Sequence, residues 1–210
     1  MRTLTLFSRQ TAAGLRVLLV LTVVLGIGYP LAVWAVAHLP GLAGHAEGSL
    51  VRVQGRAAGS SLIGIDPVAP DPASDPYFHT RPSATATDVL GPGDPSTSGA
   101  SNKGGFDPGL VAAVTRRRAA IATREGVAPA LVPADAVTAS ASGVDPQISP
   151  AYAALQVARV ARVTGLAPAE VAALVGENTD GRFLGFLGEP GVDVTRLNLA
   201  VAVTTGRVRG

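Results

Sequence analysis

The feature that most constrains this chain is an uninterrupted apolar stretch at residues 17–37, VLLVLTVVLGIGYPLAVWAVA. At a rise of about 1.5 Å per residue, a helix of this length spans roughly 30 Å, the thickness of the hydrocarbon core of a bilayer. A helix satisfies its own backbone donors and acceptors within lipid, so the stretch predicts one transmembrane helix. Pro30 removes a helical hydrogen-bond donor and is expected to bend the outer third of that helix.

The arginines predict how the helix is oriented. Arg2, Arg9 and Arg16 precede the apolar stretch, and the next arginine after it is Arg52. Because basic residues accumulate on the cytoplasmic side, residues 1–16 are expected in the cytoplasm and the body of the chain outside the cell. The alternative is a cleaved signal peptide, whose apolar core usually runs for only about 7–15 residues.

The charge of the remaining chain argues against nucleic-acid binding. The chain has 17 basic and 15 acidic side chains, and removing the three N-terminal arginines leaves 14 basic against 15 acidic. A body so close to neutral does not suit a phosphate backbone. The sequence contains no cysteine, which excludes a disulfide framework and a thiolate metal site.

The residues after the apolar stretch divide into a link and one domain. Residues 38–47 form a short link that contains glycine, and residues 48–210 are predicted to form an extracytoplasmic α/β (α+β) domain. Leu50–Val53 and residues 61–65 are predicted to be short strands. Residues 91–109 are rich in glycine, proline and serine, and a loop of that length is usually functional or mobile.

Capping residues predict three helices in the domain. The Asp-Pro pair at 107–108 opens a helix to about residue 125, and the Ser-Pro pair at 149–150 opens a second helix to residue 164. A third, shorter helix fits residues 168–175. The β-branched residues and leucines of residues 192–203 predict a C-terminal strand.

The segment TASASGVDPQISP at residues 138–150 gathers hydroxyls and a carboxylate and can be interpreted in two ways. As local structure, Ser149 caps a helix, Asp145 and the following proline make a turn, and Gly143 supplies a positive φ angle. As chemistry, the segment would form a pocket with convergent polar groups, supplied by Ser140, Ser142, Asp145 and Ser149.

Other catalytic signals are weak. The sequence has neither a G-x-S-x-G elbow nor a Walker A frame. His79 is expected to pack beside Tyr77 and Phe78 rather than act in catalysis. Three aspartates that precede prolines are expected to form turns rather than a calcium loop: Asp66, Asp71 and Asp75. We therefore expect no catalytic activity, no metal site and no directly bound cofactor.

An ordered series of short stretches is more specific than any single motif. It consists of YPL at 29–31, GSL at 48–50, GSSLIG at 59–64, YFHTRPSAT at 77–85, SGASN at 98–102, VPADAVTASASGVDPQISP at 132–150 and LGEPGVDVTRLNLA at 187–200. In this order and in a chain of this length, the series resembles the C subunit of the Kdp potassium-transporting ATPase. The chain departs from the family pattern after GSSLIG, where Ile65-Asp66-Pro67 stand in place of Gln and a nearby Phe.

The resemblance implies an accessory subunit of a bacterial inner-membrane complex, without turnover of its own. Its partners would be a channel-like potassium-translocating subunit, a P-type ATPase subunit and membrane lipid. C subunits of this family are described as assembly factors and as catalytic chaperones that raise the ATP affinity of the ATPase subunit. ATP and K⁺ would then act at the level of the complex. The alternative is a membrane-anchored extracytoplasmic solute-binding module or hydrolase.

Two regions are expected to contact partner subunits. Small residues beside a proline allow close approach of another helix, and extended loops with arginine and aromatic residues suit interfaces. The candidate contacts are Gly26, Gly28, Tyr29 and Pro30 in the helix, and Tyr77, Phe78, Arg81, Ser98 and Asn102 in the domain. For Tyr77 and Phe78, a place in the core is an equally open alternative.

Overall fold

The computed structural model describes the backbone of residues 2–207 and the side chains of residues 6–207. The chain forms two compact units, the first ending at Ser49 and the second beginning at Leu50. The first unit contains the apolar helix and one short helix after it, and the second contains the sheets and the other helices.

The N-terminal unit is helical along most of its length. Helix α1 covers Arg2–Val23, a π-helical turn covers Val24–Gly28, helix α2 covers Tyr29–Ala37, and a short helix α3 covers Ala43–Ala46. Within the described residues, length and composition make Leu6–Ala37 the single candidate for a membrane span, with a mean hydropathy of 2.3. The helix therefore begins well before the charge-free residues from which we predicted it.

Pro30 changes the hydrogen-bonding pattern of the helix ahead of it. The N–H of Tyr29 donates to the carbonyl of Val24, five residues back rather than four. Proline lacks an N–H and its ring presses on the carbonyl four residues before it, which here belongs to Gly26. A wider turn accommodates both effects without ending the helix. The predicted disturbance thus takes the form of a π-helical turn that precedes Pro30.

The domain begins with a β-hairpin of two antiparallel strands, β1 at Leu50–Val53 and β2 at Arg56–Ser60. Gln54 and Gly55 both have positive φ angles, as a two-residue hairpin turn requires. Our prediction of the second strand at residues 61–65 was wrong, because the two-residue turn places the second strand directly after it, at Arg56–Ser60. Beyond the hairpin, a single bridge joins Ser60 to Ile63.

A second sheet has three very short antiparallel strands in the order β3-β5-β4. Strand β3 covers Gln147–Ile148, β4 covers Thr179–Asp180 and β5 covers Gly191–Asp193. The central strand β5 is fully buried, so the sheet forms part of the core.

Most of the regular secondary structure of the domain is helical. The helices are α4 at Pro108–Glu125, α5 at Ala134–Val137, α6 at Pro150–Thr164, α7 at Pro168–Glu177 and α8 at Val194–Thr204, with short 3₁₀ turns at Pro72–Ser74 and Pro129–Leu131. The three predicted helices are confirmed as α4, α6 and α7. Glycines in the left-handed conformation end α4 and α6, at Gly126 and Gly165.

The predicted C-terminal strand over residues 192–203 was wrong, because most of it is helix α8. The Asp193 carboxylate accepts a hydrogen bond of 2.9 Å from the N–H of Arg196 and so caps the helix. Val194, Leu197 and Val201 are buried, and their spacing of three and four residues fits a helix rather than a strand.

Most apolar side chains in the core of the domain come from α4 to α8 and from the three-stranded sheet, and Phe78 and Val132 come from connecting segments. Its largest fully buried members include Phe78, Ile121, Tyr152, Val160 and Leu197. The architecture is a mixture of helices and strands with one apolar N-terminal helix, as the sequence predicted in outline.

Candidate functional site

The centre of the domain holds an extended segment at residues 77–79 that side-chain amides fix in place. Asn198 of α8 accepts from the N–H of Phe78 at 2.7 Å and donates to its carbonyl at 2.8 Å. Gln156 of α6 accepts from the N–H of His79 at 2.8 Å and donates to its carbonyl at 3.3 Å. Buried backbone groups must be paired, and here the two amides take the place of neighbouring strands.

The imidazole of His79 lies between two carboxylates. Its Nδ1 is 2.7 Å from Asp66 Oδ1 and its Nε2 is 2.5 Å from Asp75 Oδ2, and all three side chains are largely buried. Ionised carboxylates only accept hydrogen bonds, so each ring nitrogen faces a group to which it can donate. These two carboxylate contacts of His79 were not predicted from the sequence.

Arg159 of α6 extends the chain of charges. Its Nε donates to both oxygens of Glu125 at 3.2 and 3.0 Å, and one terminal nitrogen donates to the carbonyls of Asp75 and Tyr77 at 2.8 and 3.0 Å. The other terminal nitrogen donates to Gln156 Oε1 at 3.1 Å. Every arm of this buried guanidinium is thus paired, as burial of a charge requires.

The network ends at a second arginine, Arg124, which lies on α4. Arg124 donates from Nε to Glu125 Oε1 at 2.7 Å and from Nη2 to the hydroxyl of Tyr152 at 2.9 Å. Burial raises the pKa of the Tyr152 hydroxyl, and the neighbouring Arg124 charge opposes that effect only in part. Burial lowers the pKa of Arg124, but its contacts with Tyr152 and Glu125 outweigh burial and raise it overall. Both groups keep their protons at physiological pH.

The charge of Asp75 is fixed by its neighbours. Burial on its own raises the pKa of this carboxyl, but the hydrogen bond and charge of His79, the N–H of Tyr77 and the charge of Arg159 together lower it below its ordinary value. The network therefore pairs three carboxylates, Asp66, Asp75 and Glu125, with three basic side chains, His79, Arg124 and Arg159. Such balance is the condition under which charges are tolerated in a core.

An open cavity of about 770 Å³ lies against this network. Asp75, His79, Arg124 and Arg159 line one part of it, and the rest of the lining includes mostly small side chains from residues 67–73 and from α4. Each of these four polar groups already has a partner within the network, so a ligand would have to compete with these bonds. Residues 2–207 contain no group of three or more His, Asp or Glu side chains arranged to hold a metal ion.

The segment 138–150 is held by a separate set of contacts. Arg81 Nη1 is 3.3 Å from Asp145 Oδ2, and its Nη2 donates to the carbonyls of Thr138 and Ala139 at 3.4 and 3.3 Å. Gly143 has a φ of +75°, and a Cβ at this position would come within 3.0 Å of both Ser83 Oγ and the Gly99 carbonyl. Close packing and positive φ both favour glycine there.

The hydroxyls of this segment bond to the backbone and to each other. Ser140 Oγ accepts from the N–H of Gly143 at 3.1 Å, and Ser142 Oγ accepts from the N–H of Val144 at 3.2 Å. The structure places Ser149 at the N-cap of α6, where its Oγ accepts from the N–H of Tyr152 at 3.0 Å. These contacts favour the interpretation of the segment as turn and cap over the interpretation as a pocket.

The residues predicted to contact partner subunits differ in position and in exposure. Gly26 and Gly28 lie in the π-helical turn, and Tyr29 and Pro30 begin α2. Phe78 is 0% exposed and belongs to the core, so we withdraw it as a surface contact, and its fully apolar side chain explains that burial. The rest are partly or fully exposed in the domain: Tyr77, Arg81, Ser98 and Asn102.

Sequence reasoning missed the residues that build the buried network. Asp66 and Asp75 were interpreted as turn formers. No role was assigned to Gln156 and Arg159 in a predicted helix, or to Asn198 in the predicted C-terminal strand. One signal was present in the sequence, because Gln156 and Arg159 lie three residues apart and share the buried face of α6 with Tyr152 and Val160. Polar residues on an otherwise apolar face indicate buried partners.

Comparison with known proteins gives matches over most of the chain. The family model described as "KdpC: K+-transporting ATPase, c chain" matches residues 11–203. The chain belongs to the KdpC family. The match therefore includes the charge-free residues 17–37 and all of the domain except its last seven residues. The resemblance found in the sequence is thereby confirmed.

Similar curated proteins carry the same description. A potassium-transporting ATPase KdpC subunit of Kineococcus radiotolerans is 50% identical over 198 residues, covering 94% of this chain and 95% of the relative. That of Sorangium cellulosum is 49% identical, covering 90% and 94%, and that of Streptomyces avermitilis is 45% identical, covering 92% and 93%. KdpC proteins are subunits of a potassium-transporting ATPase, so membership implies the other Kdp subunits as partners.

Proposed function

We propose that this chain is a non-catalytic subunit that assembles and stabilises the channel-like and P-type ATPase subunits of a Kdp complex. Residues 17–37 cross the membrane, the N-terminus lies in the cytoplasm, and the domain lies outside. The observation that carries the proposal is the match of the KdpC family over residues 11–203, together with the one long apolar helix.

The apolar helix supports the proposal through its surface near Pro30. A Cβ added at Gly26 would meet only Thr22 Cγ2, at 3.9 Å, and one at Gly28 would meet only the Val23 carbonyl, at 3.7 Å. The space beside these glycines is therefore open to another helix, and small residues let two backbones approach closely in a membrane. The π-helical turn widens the helix at the same place.

The domain supports a structural role through the way its polar groups are used. His79 pairs with Asp66 and Asp75, and Arg159 pairs with Glu125. The hydroxyls of Ser140 and Ser142 bond to the backbone. Catalysis requires a nucleophile, acid or base that is free to meet a substrate. Groups that are all paired internally instead make a rigid body, which suits a subunit that holds larger neighbours in place.

Any effect on ATP affinity is indirect in this proposal. With the domain outside the cell, the nucleotide site of the ATPase subunit lies on the opposite side of the membrane. The coupling then runs through the apolar helix and the partner subunits, as a difference in the stability of their conformations.

The helix contact is tested by replacing Gly26 with leucine and co-purifying the tagged chain with the other Kdp subunits from mild detergent. We expect recovery of the partners to fall at least about tenfold, because the larger side chain separates the helices. The matched control is Gly14→Leu, at a glycine of the same helix that also has open space around it. Equal recovery from both variants would contradict the proposed contact.

The orientation is tested with single cysteines, since the natural chain has none. Ser8→Cys and Ser101→Cys are treated in intact cells with a membrane-impermeant maleimide. The proposal predicts labelling at position 101 and protection at position 8 until the cells are lysed. Labelling of position 8 alone would reverse the topology.

A further inference from the structure

One surface of the domain is strongly apolar although it lies outside the core. It belongs to a tight turn at residues 182–189, which we call the apolar hairpin. Four of its large side chains are between 48% and 70% exposed: Phe183, Leu184, Phe186 and Leu187. Contiguous exposed apolar residues are uncommon on soluble surfaces and usually mark a place where another molecule binds.

The apolar hairpin is held in a defined conformation. Phe183 and Leu187 exchange two backbone hydrogen bonds of 2.9 Å, and the N–H of Gly185 donates to the carbonyl of Arg182 at 3.0 Å. At the base of the turn, Arg182 and Glu189 form an ion pair of 2.7 Å. A preorganised loop loses little conformational entropy when it binds, so these contacts favour recognition.

The backbone at the tip supplies an independent observation. Leu184 has a φ of +52°, in the left-handed region. Asparagine and glycine adopt this conformation readily, whereas leucine does so at a cost. Leucine at this position is therefore unfavourable for the turn itself, and strain of this kind is characteristic of binding sites. Its benefit must come from the exposed apolar side chain.

The charges around the hairpin identify the kind of partner. Arg182 is paired with Glu189, and Asp180 adjoins the turn, so the surroundings of the four apolar side chains are slightly acidic. A loop that enters an anionic membrane surface carries an excess of basic residues instead. An apolar centre with a paired polar rim is the composition of a protein interface.

We propose that the apolar hairpin docks into an uncharged apolar recess on another subunit of the potassium-transporting ATPase. The inference rests on the proposed function, which supplies the complex, and it adds the surface through which the domain holds its neighbour. Phe186 and Leu184 are the central contacts, and Arg182 with Glu189 forms the rim.

The first test is photocrosslinking within the intact complex in membranes. A photoreactive phenylalanine analogue is placed at position 186, and the matched control carries it at position 131, where Leu131 is 63% exposed on a 3₁₀ turn of the same domain. We expect position 186 to give an adduct with a Kdp subunit, identified by mass, and position 131 to give none. Absence of that adduct, or adducts with lipid alone, overturns the inference.

The second test removes the apolar side chains while favouring the backbone. Leu184→Asn suits the left-handed conformation, and Leu184→Asn combined with Phe186→Ser removes the centre of the surface. For the double variant we expect the solubilised complex to dissociate at least tenfold faster, with the thermal unfolding of the subunit unchanged. Dissociation at the wild-type rate would exclude the docking role. If the wild-type chain itself fails to co-purify with its partners, it is the proposed function that fails.

Discussion

Replacement of Arg159 by methionine tests the buried network most severely. The arginine is 3% exposed and donates to Glu125, Gln156 and the carbonyls of Asp75 and Tyr77. Methionine fills much of the volume but makes none of these bonds. The fully buried carboxylate of Glu125 then loses one of its two arginine partners and retains only Arg124 as a counter-ion.

The structure sets the size of the expected loss. Breaking a buried ion pair by removing one partner costs about 3–5 kcal/mol, because the other charge is left without full compensation. The remaining contact between Arg124 and Glu125 places Arg159→Met towards the lower end, at about 3 kcal/mol. For a domain of this size, each kcal/mol lowers the Tm by about 2–4 °C, so we expect a fall of about 6–12 °C.

The assay is thermal unfolding of the full chain in detergent, followed by circular dichroism. The matched control is Arg162→Met, three residues further along α6, where the side chain is exposed and the expected change is within about 0.5 kcal/mol. Adding Glu125→Gln to Arg159→Met removes the stranded charge, so the double variant should be more stable than the sum of the two single effects. Equal Tm values for the variants at positions 159 and 162 would refute the reasoning.

Three further outcomes are expected. Ser149→Ala removes the cap of α6 and should cost about 1 kcal/mol in urea unfolding. Gly64→Ala places a Cβ against the backbone of Asp145 and should lower the Tm clearly, whereas Gly176→Ala, in open space on α7, should leave it unchanged or raised. Asp75→Asn should destabilise the domain at neutral pH, measured by urea unfolding across pH. Because the pKa of Asp75 is lowered by folding, its contribution is present above about pH 4 and lost as pH falls through the folded pKa, where wild type and variant should converge.

The starts and ends of several helices could be predicted from the sequence because they depend on neighbouring residues in the chain. The Asp-Pro and Ser-Pro pairs begin α4 and α6, and the glycines after them end both helices, since caps depend on a few neighbouring residues. The apolar N-terminal helix follows from composition alone. The C-terminal helix was missed because we gave the β-branched residues of 192–203 more weight than the helical spacing of the apolar residues, which recur after three and four positions.

The buried network was beyond local reasoning. His79 meets Asp66 and Asp75 within one loop region, but its backbone is held by Gln156, which lies 77 residues away along the chain. Whether an aspartate before a proline forms only a turn, or also accepts from a buried imidazole, depends on which helix packs over it. The exposure of the apolar hairpin could not be predicted without the fold either, because its sequence resembles a core strand as much as a surface loop.

The most direct measurement for the whole account is the mass of the particle that a tagged copy of this chain brings out of the membrane in mild detergent. We predict one stable assembly that contains the chain, the channel-like subunit and the P-type ATPase subunit. ATP hydrolysis should reside in the assembly and be absent from the chain when it is purified by itself. Recovery of the chain alone, from membranes in which the other two subunits are present, would contradict the account.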